Sequence, residues 1–442
     1  MSSATEHNGD HGHAPRVLPP SLAAPPAVAV WRMRALIVSA VFIVISLLLC
    51  VWTHEGRNHL LRAYLAGYMT CFNLTGGALC MLMLQYVSGG KWGLLLRRPL
   101  EAMTRTLPLV AIMFIPILIP FFGKHLYQWV AYPSAESTQA AFAQGIIDKE
   151  QALTANFKRP MLNPQMLVVE SVGIFAILLL FVYLLNKWSA QQEADPARGT
   201  ESSYEYWRVK FENLSGPGIL IYVIVMTVGA IVWIKALDVT WYSSIWGLQF
   251  LVAQGYGVLA FTILSVVLLS RYEPMRTFLR TTELFDLGKL LFAFVMLNIY
   301  LTFAEFLIIW SGNLPDEIPW YLARIHGGWW TICSLDFICH WLIPFSLLLS
   351  RDLKRNKNKM IWITLWMLFA RLIDMFWLVE PNFKYAAGNL VHEPLSIFAY
   401  FTVPVAMLGI WVAYYMTHLM QRPLVAVNDP HLEEILEPEH AS

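Results

Sequence analysis

About ten separate apolar runs, each long enough to cross a bilayer, follow one another along this chain. A helix rises about 1.5 Å per residue, so roughly 20 apolar residues cover a hydrocarbon core about 30 Å thick. The runs predict spans at 33–53, 62–87, 104–132, 166–187, 216–237, 245–270, 285–311, 322–349, 360–380 and 394–419. Little is left over for a soluble domain. The expected fold is therefore an all-α polytopic membrane protein, one ten-helix domain over 31–420 between polar tails at 1–30 and 421–442.

Lys and Arg are divided unevenly between alternate intervals. One set carries Lys91, Arg97, Arg98 and Arg105, then Arg271, Arg276 and Arg280, then Arg351, Lys354, Arg355, Lys357 and Lys359. The opposite set is sparse: Asn313 to Tyr321 holds Asp316 and Glu317 and no Lys or Arg. The positive-inside rule then places both termini in the cytoplasm, which requires an even number of spans. Ten satisfies it.

The first tail lacks the short apolar core and cleavage site of a secretory signal, so an uncleaved cytoplasmic tail is expected. Its His7, His11 and His13 have no scaffold to hold a metal and read as solvated. The acidic end, Glu433 to Glu439, reads as a frayed tail or a docking segment. On the outer side only the interval 124–165 is long. Ala135–Gln144 and Ile147–Thr154 predict two short helices there, and a loop of that length marks an interaction surface.

Composition supports the membrane reading: the chain is 57% hydrophobic and 14% charged, against about 25% charged in ordinary globular domains. Trp31, Trp52, Trp129, Tyr132, Trp188, Trp241, Trp320 and Tyr321 fall near span ends, where amphipathic rings favour the interface. A net charge of +1 leaves no basic surface for nucleic acid. The five cysteines (Cys50, Cys71, Cys80, Cys333 and Cys339) form no CxxC pair and read as small apolar residues inside spans.

Charged residues inside the spans carry the candidate chemistry. Each costs about 2.5–3.5 kcal/mol at mid-bilayer on insertion scales, so each needs a partner or water. On the seventh span Asn298, Thr302 and Glu305 recur at i, i+4 and i+7. Asp336 and His340 are i, i+4 neighbours on the eighth, and Arg371 and Asp374 are i, i+3 neighbours on the ninth. His326 and Arg324 mark the outer end of the eighth span, and Glu170 that of the fourth. Such groups must face a bundle interior, either as a structural salt-bridge network or as a proton relay. One arginine cannot neutralise three acids, and this surplus favours the relay. The proton-path candidates are therefore Glu305, Asp336, His340, Asp374, Arg371, His326 and Glu170, with no catalytic residue, cofactor ligand or metal ligand.

A haem is not expected. His326 and His340 lie 14 residues apart on one predicted helix, as in two-haem b-type cytochromes, yet no second helix has a matching pair: His392 and His418 are 26 apart. His54, His59 and His125 sit at outer span ends. A quinone pocket would need a His or carboxylate to take the quinol proton, a role open to His326 or Glu170.

Two stretches carry a family resemblance: RYEPMRTFLRTTELFDLGKLLFAF (271–294), and the succession EIPWYLARIHGGWW (317–330) and RLIDMFWLVEP (371–381). With ten spans, the chain resembles the NrfD-like family of polysulfide reductase membrane subunits over residues 30–420, closest to the ActF branch found in bacterial alternative complex III. The resemblance implies two four-helix bundles, spans 2–5 (about 62–237) and spans 6–9 (about 245–380), flanked by spans 1 and 10. Four helices return the chain to its starting side, so the bundles would relate as parallel repeats.

It also implies a role in a respiratory quinol:cytochrome c (or other periplasmic carrier) oxidoreductase of the bacterial inner membrane. The quinol site, haems and iron–sulfur clusters would reside in other subunits: the paralogue ActC, a multihaem cytochrome, an iron–sulfur protein and a monohaem cytochrome, with small membrane subunits and lipids as further partners. This chain would bind no cofactor, give structural support and supply a proton path in its second bundle. The first bundle offers only Glu170 and the Tyr64–Tyr68 stripe. Two alternatives stay open, a quinol-binding subunit of a related respiratory complex and a solute transporter. Against the transporter, the spans lack a pair of short, Gly/Pro-broken helices in matching positions.

Overall fold

A computed structural model describes residues 18–52, 56–90, 92–315, 317–383, 397–426 and 429. His7, His11, His13, His54, Lys91, Asp316, His392 and the segment Glu433–Glu439 lie outside them. The described residues are helical, with no strand among them. Thirteen helices organise the chain: α1 (Ala27–Trp52), α2 (Gly56–Ser88), α3 (Trp92–Thr104), α4 (Leu107–Leu118), α5 (Ala135–Ala143), α6 (Lys149–Lys158) and α7 (Pro164–Glu193), then α8 (Glu201–Trp233), α9 (Trp246–Leu269), α10 (Thr281–Gly312), α11 (Trp329–Leu348), α12 (Lys357–Val379) and α13 (Ala399–Leu419).

Among the described residues nine helices are long and apolar enough to cross a membrane, or ten if the bent pair α3–α4 counts as one span. The protein is a multi-pass membrane protein. The third span differs from its predicted 104–132. The chain is already helical at Trp92, breaks at Arg105–Thr106 and bends by 41° into α4. Pro108 contributes to the break, because a proline has no amide to donate to the carbonyl of Thr104 at the end of α3, and it sits in the first turn of α4, where that loss is tolerated. Arg97, Arg98 and Glu101 fall on α3 and are buried, so they are not loop residues. The eighth span is shorter than its predicted 322–349, because the turn Gly327–Gly328 separates a two-turn helix, Ile318–Ile325, from α11. The first tail also ends sooner than residue 30, since α1 begins at Ala27.

Helix α2 is the hub, touching α1, α3, α4, α8, α9, α12 and α13. Small residues permit this approach. A Cβ on Gly77 would sit 2.7 Å from Val258 Cγ2 of α9, and one on Gly67 would sit 2.9 Å from the Pro404 backbone of α13. Helix α9 is a second hub against α2, α8, α10 and α12, while α11 packs between α10 and α12. Helix α1 lies along α13 and exposes a row of Val, Ile and Leu.

The interval 124–165 forms the two expected short helices. Capping boxes start both, Ser134 with Ser137 at α5 and Asp148 with Gln151 at α6. Lys158 anchors α6 to the segment after α8, donating from Nζ to the Val239 carbonyl at 2.5 Å and lying 3.8 Å above the Tyr242 ring. Burial and the nearby Lys235 charge push its ammonium down to about 8.

Candidate functional site

The centre of the site is built on an irregular turn of α11. The helix is regular to Asp336, widens into a π turn over Phe337–Leu342 and resumes at Ile343. In the π register the Ile343 amide bonds the Ile338 carbonyl. The next carbonyl, Cys339, would then need an amide from residue 344, which is a proline. In the regular register the His340 carbonyl faces the same missing donor. Neighbouring helices supply both. Trp366 Nε1 of α12 donates to the Cys339 carbonyl at 2.9 Å, and the Tyr256 hydroxyl of α9 donates to the His340 carbonyl at 2.9 Å. The widened turn is thus fully satisfied, as a buried backbone must be.

This turn brings Asp336 and His340 against α12. Arg371 Nη1 donates to Asp374 Oδ2 at 2.5 Å, and Asp374 Oδ1 faces His340 Nδ1 at 3.9 Å. Asp336 is 5% exposed and His340 1%. The Asp336 Oδ1 atom and both ring nitrogens of His340 have no hydrogen-bond partner among the described residues. One ligand atom each from Asp336, His340 and Asp374 lies within 4.8 Å of the others. The imidazole is wedged edge-on against the Tyr256 ring, with centroids 4.6 Å apart. Two carboxylates, of which only Asp374 is bonded to the guanidinium, therefore lie around a buried imidazole.

The other sequence candidates lie elsewhere. Glu305 is buried on α10 beside Ser243 and Gln249, and the cations whose charge reaches it are Lys235 and Arg324. Its stripe partner Asn298 accepts from Trp341 Nε1 at 2.7 Å, which ties α10 to the π turn. His326 is exposed at the end of Ile318–Ile325, so it and His340 do not share one continuous helix. Glu170 is half-buried on α7, its Oε2 without a hydrogen-bond partner. Only four of the seven candidates, Asp336, His340, Arg371 and Asp374, come together.

Two buried ionic clusters escaped the sequence reading. In the first, Glu101 receives Arg97 at 3.1 Å, Arg98 at 2.7 Å and Arg422 at 3.3 Å, and the Ser189 hydroxyl donates to it at 2.7 Å. The i+4 and i+3 spacing of Glu101 from the two arginines was a usable signal. In the second, Glu380 is fully buried and pairs with Arg62 at 3.1 Å and His59 at 3.5 Å. Nearby, Arg324 lies 3.5 Å above the Trp320 ring and donates to the Leu378 carbonyl at 3.1 Å and Asn382 Oδ1 at 2.8 Å.

A cavity of about 320 Å³ opens between α1, α2, α9, α12 and α13. Trp31, Leu269 and Leu419 line it, then Phe261, Leu368 and Val412, then Asn73 and Arg371. Its walls are almost wholly apolar, and Arg371 joins it to the Asp336–His340–Asp374 group. No protein-family model and no curated protein matches this chain.

Proposed function

We propose that this chain is an integral membrane subunit of a respiratory quinol:electron-carrier oxidoreductase, of the NrfD-like type found in alternative complex III. In this reading it has no redox centre of its own; it supports neighbouring subunits and carries protons through Asp336, His340 and Asp374. The observation that carries the proposal is the buried Asp336, which pairs with no cation among the described residues, beside the Arg371–Asp374 ion pair and the buried His340 imidazole. A purely structural network leaves no carboxylate without a cation, and in the Glu101 cluster the arginines outnumber the acids. Here one carboxylate is left over. Such a group inside a membrane marks an ion or proton pathway more often than a scaffold.

The finer architecture follows the same reading. The pairings α2 with α3–α4, α4 with α7, α7 with α8 and α8 with α2 trace one four-helix ring. A second is traced by α9, α10, α11 and α12, and α1 with α13 flanks both. Both termini would lie in the cytoplasm of a bacterium, with α5 and α6 on the outer face. The partners would be an NrfD-like paralogue, cytochromes and an iron–sulfur protein. The test is isolation of the native complex and measurement of its proton-to-electron ratio with Asp336→Asn. An unchanged ratio in an assembled variant would sink the relay.

The apolar cavity favours a second reading, a quinol-binding subunit. Its almost wholly apolar walls suit an isoprenoid tail, and Arg371 among them offers a donor to a quinone carbonyl. Quenching of Trp31 fluorescence by a short-tailed quinone would support this reading, and saturable protection by native quinone would be required.

A further inference from the structure

We infer that Asp336, His340 and Asp374 form a binding site for one divalent first-row transition ion, with Zn2+ the best match. Carboxylate oxygen and imidazole nitrogen are both zinc ligands, and three protein ligands leave a fourth position open for water. The three donor atoms lie within 4.8 Å of one another, and the His340–Asp374 pair is at 3.9 Å. Ligands of a tetrahedral zinc ion are roughly 3.3–3.5 Å apart, given bonds of about 2.0–2.2 Å. Closing the site therefore takes movements of about 1 Å, within reach of side-chain torsions alone.

Three further features point to a ligand. His340 is 1% exposed, and neither ring nitrogen has a hydrogen-bond partner among the described residues. An imidazole so deeply buried ordinarily bonds at least one side chain or carbonyl. Asp374 is already arranged as a ligand with an orienting neighbour. Its Oδ2 accepts from Arg371, which leaves Oδ1 turned toward His340, and ligating carboxylates are typically held in this way. Charge balance agrees as well. Two carboxylates and one guanidinium sum to −1, and an ion of charge +2 supplies the attraction that Asp336 otherwise lacks. The ligands come from α11 and α12, so the ion would also clamp those two helices together. A bound ion would occupy the same atoms that carry protons in the relay reading, so the site is read here from the metal itself and not from proton movement.

The experiment uses the full chain, purified, stripped with chelator and titrated with Co2+ alone and then Zn2+ alone. One equivalent of Co2+ should bind with a visible ligand-field band, Zn2+ should displace it, and the melting temperature should rise with metal. Asp336→Asn and Asp374→Asn should each weaken binding at least tenfold, while Glu212→Gln on the exposed face of α8 should not. Absence of stoichiometric binding to the folded wild-type chain would overturn the site, as would equal binding by both Asn variants. Should those variants misfold, X-ray absorption on the zinc-loaded wild type decides. One imidazole with oxygen ligands and no sulfur is expected, and a shell without histidine would refute the assignment.

Discussion

The Tyr256 hydroxyl donates at 2.9 Å to the carbonyl of His340, a carbonyl that its own helix leaves without a donor because residue 344 is proline. A side chain on α9 thereby holds open the turn of α11 that aims His340 at α12. The arrangement ties a backbone irregularity to the charged group that α11 and α12 bring together.

Tyr256→Phe keeps the ring packing and removes only the donor. An orphaned buried carbonyl costs about 1–3 kcal/mol, so denaturation of the variant in detergent should show a loss of that size. Pro344→Ala restores a backbone amide at the right position. The double variant should recover part of the loss. Additive losses in the two single variants would mean that the hydroxyl and the proline are not linked.

A second prediction concerns the end of the bundle that holds Glu101. Glu101→Gln would leave Arg97, Arg98 and Arg422 facing a neutral amide in a buried site. Breaking such a cluster from one side costs about 3–5 kcal/mol. Arg422 also reaches the Asn186 carbonyl, and the Leu424 amide bonds the Leu22 carbonyl, so the chain after α13 is strapped to this cluster. Limited proteolysis should therefore cut near 421–426 in the variant and not in the wild type.

The spans were legible because twenty apolar residues leave few other structures open, and their positions agree with the helices found. The third span was misplaced for a physical reason. Charges at Arg97, Arg98 and Glu101 look like a loop until it is known that both arginines pair with Glu101 within α3 and that Arg98 also pairs with Glu193 of α7. Periodicity alone paired Asp336 with His340 and Arg371 with Asp374, since i, i+4 and i, i+3 spacings fix their helical faces, but that the two pairs meet is seen only in the packing of α11 on α12. Glu305 could not be separated from them in that way. Sequence spacing gives depth and face, and only the packing of α10 against Lys235 and Arg324 shows that it belongs to another neighbourhood. The π turn at Phe337–Leu342 was equally hidden. Its one visible mark was Pro344, and the donors that stabilise it come from residues 256 and 366.

Lys158 gives a pH-dependent prediction. Its folded pKa of about 8 lies below the ordinary value of 10.5, so between these values the detached side chain binds more protons than the docked one. Docking of α6 on Val239 should therefore strengthen as pH rises from about 8 to 10.5 and stay constant below that window. Dimethylated Lys158 followed by carbon NMR should titrate near 8. A midpoint above 10 would show that the amine is not held in the docked site.

Orientation is checked by labelling. Single cysteines at Asn313 or Leu314 should react with an impermeant maleimide added outside intact cells, and those at Lys357 or Lys359 only after permeabilisation. The opposite pattern would invert the protein in the membrane. It would move α5 and α6 to the cytoplasmic face and reverse any proton route drawn through the bundle.

The relay itself is tested by separating a carrier from a counter-ion. Asp374 is bonded to Arg371 at 2.5 Å, whereas Asp336 makes no salt bridge among the described residues and is the carboxylate that the relay reading assigns to proton exchange. Asp336→Asn should assemble normally and lower the proton-to-electron ratio of the reconstituted complex, read with a pH-sensitive dye in vesicles. Arg371→Gln should act differently, because it strands Asp374 in the interior and should cost about 3–5 kcal/mol, seen as poor assembly before any change in proton movement. Glu305→Gln separates the neighbourhoods. A loss of coupling equal to that of Asp336→Asn would place Glu305 on the same route despite its position beside Lys235 and Arg324. If Asp336→Asn and Glu305→Gln both assemble with an unchanged ratio, the group serves only to hold α11 against α12.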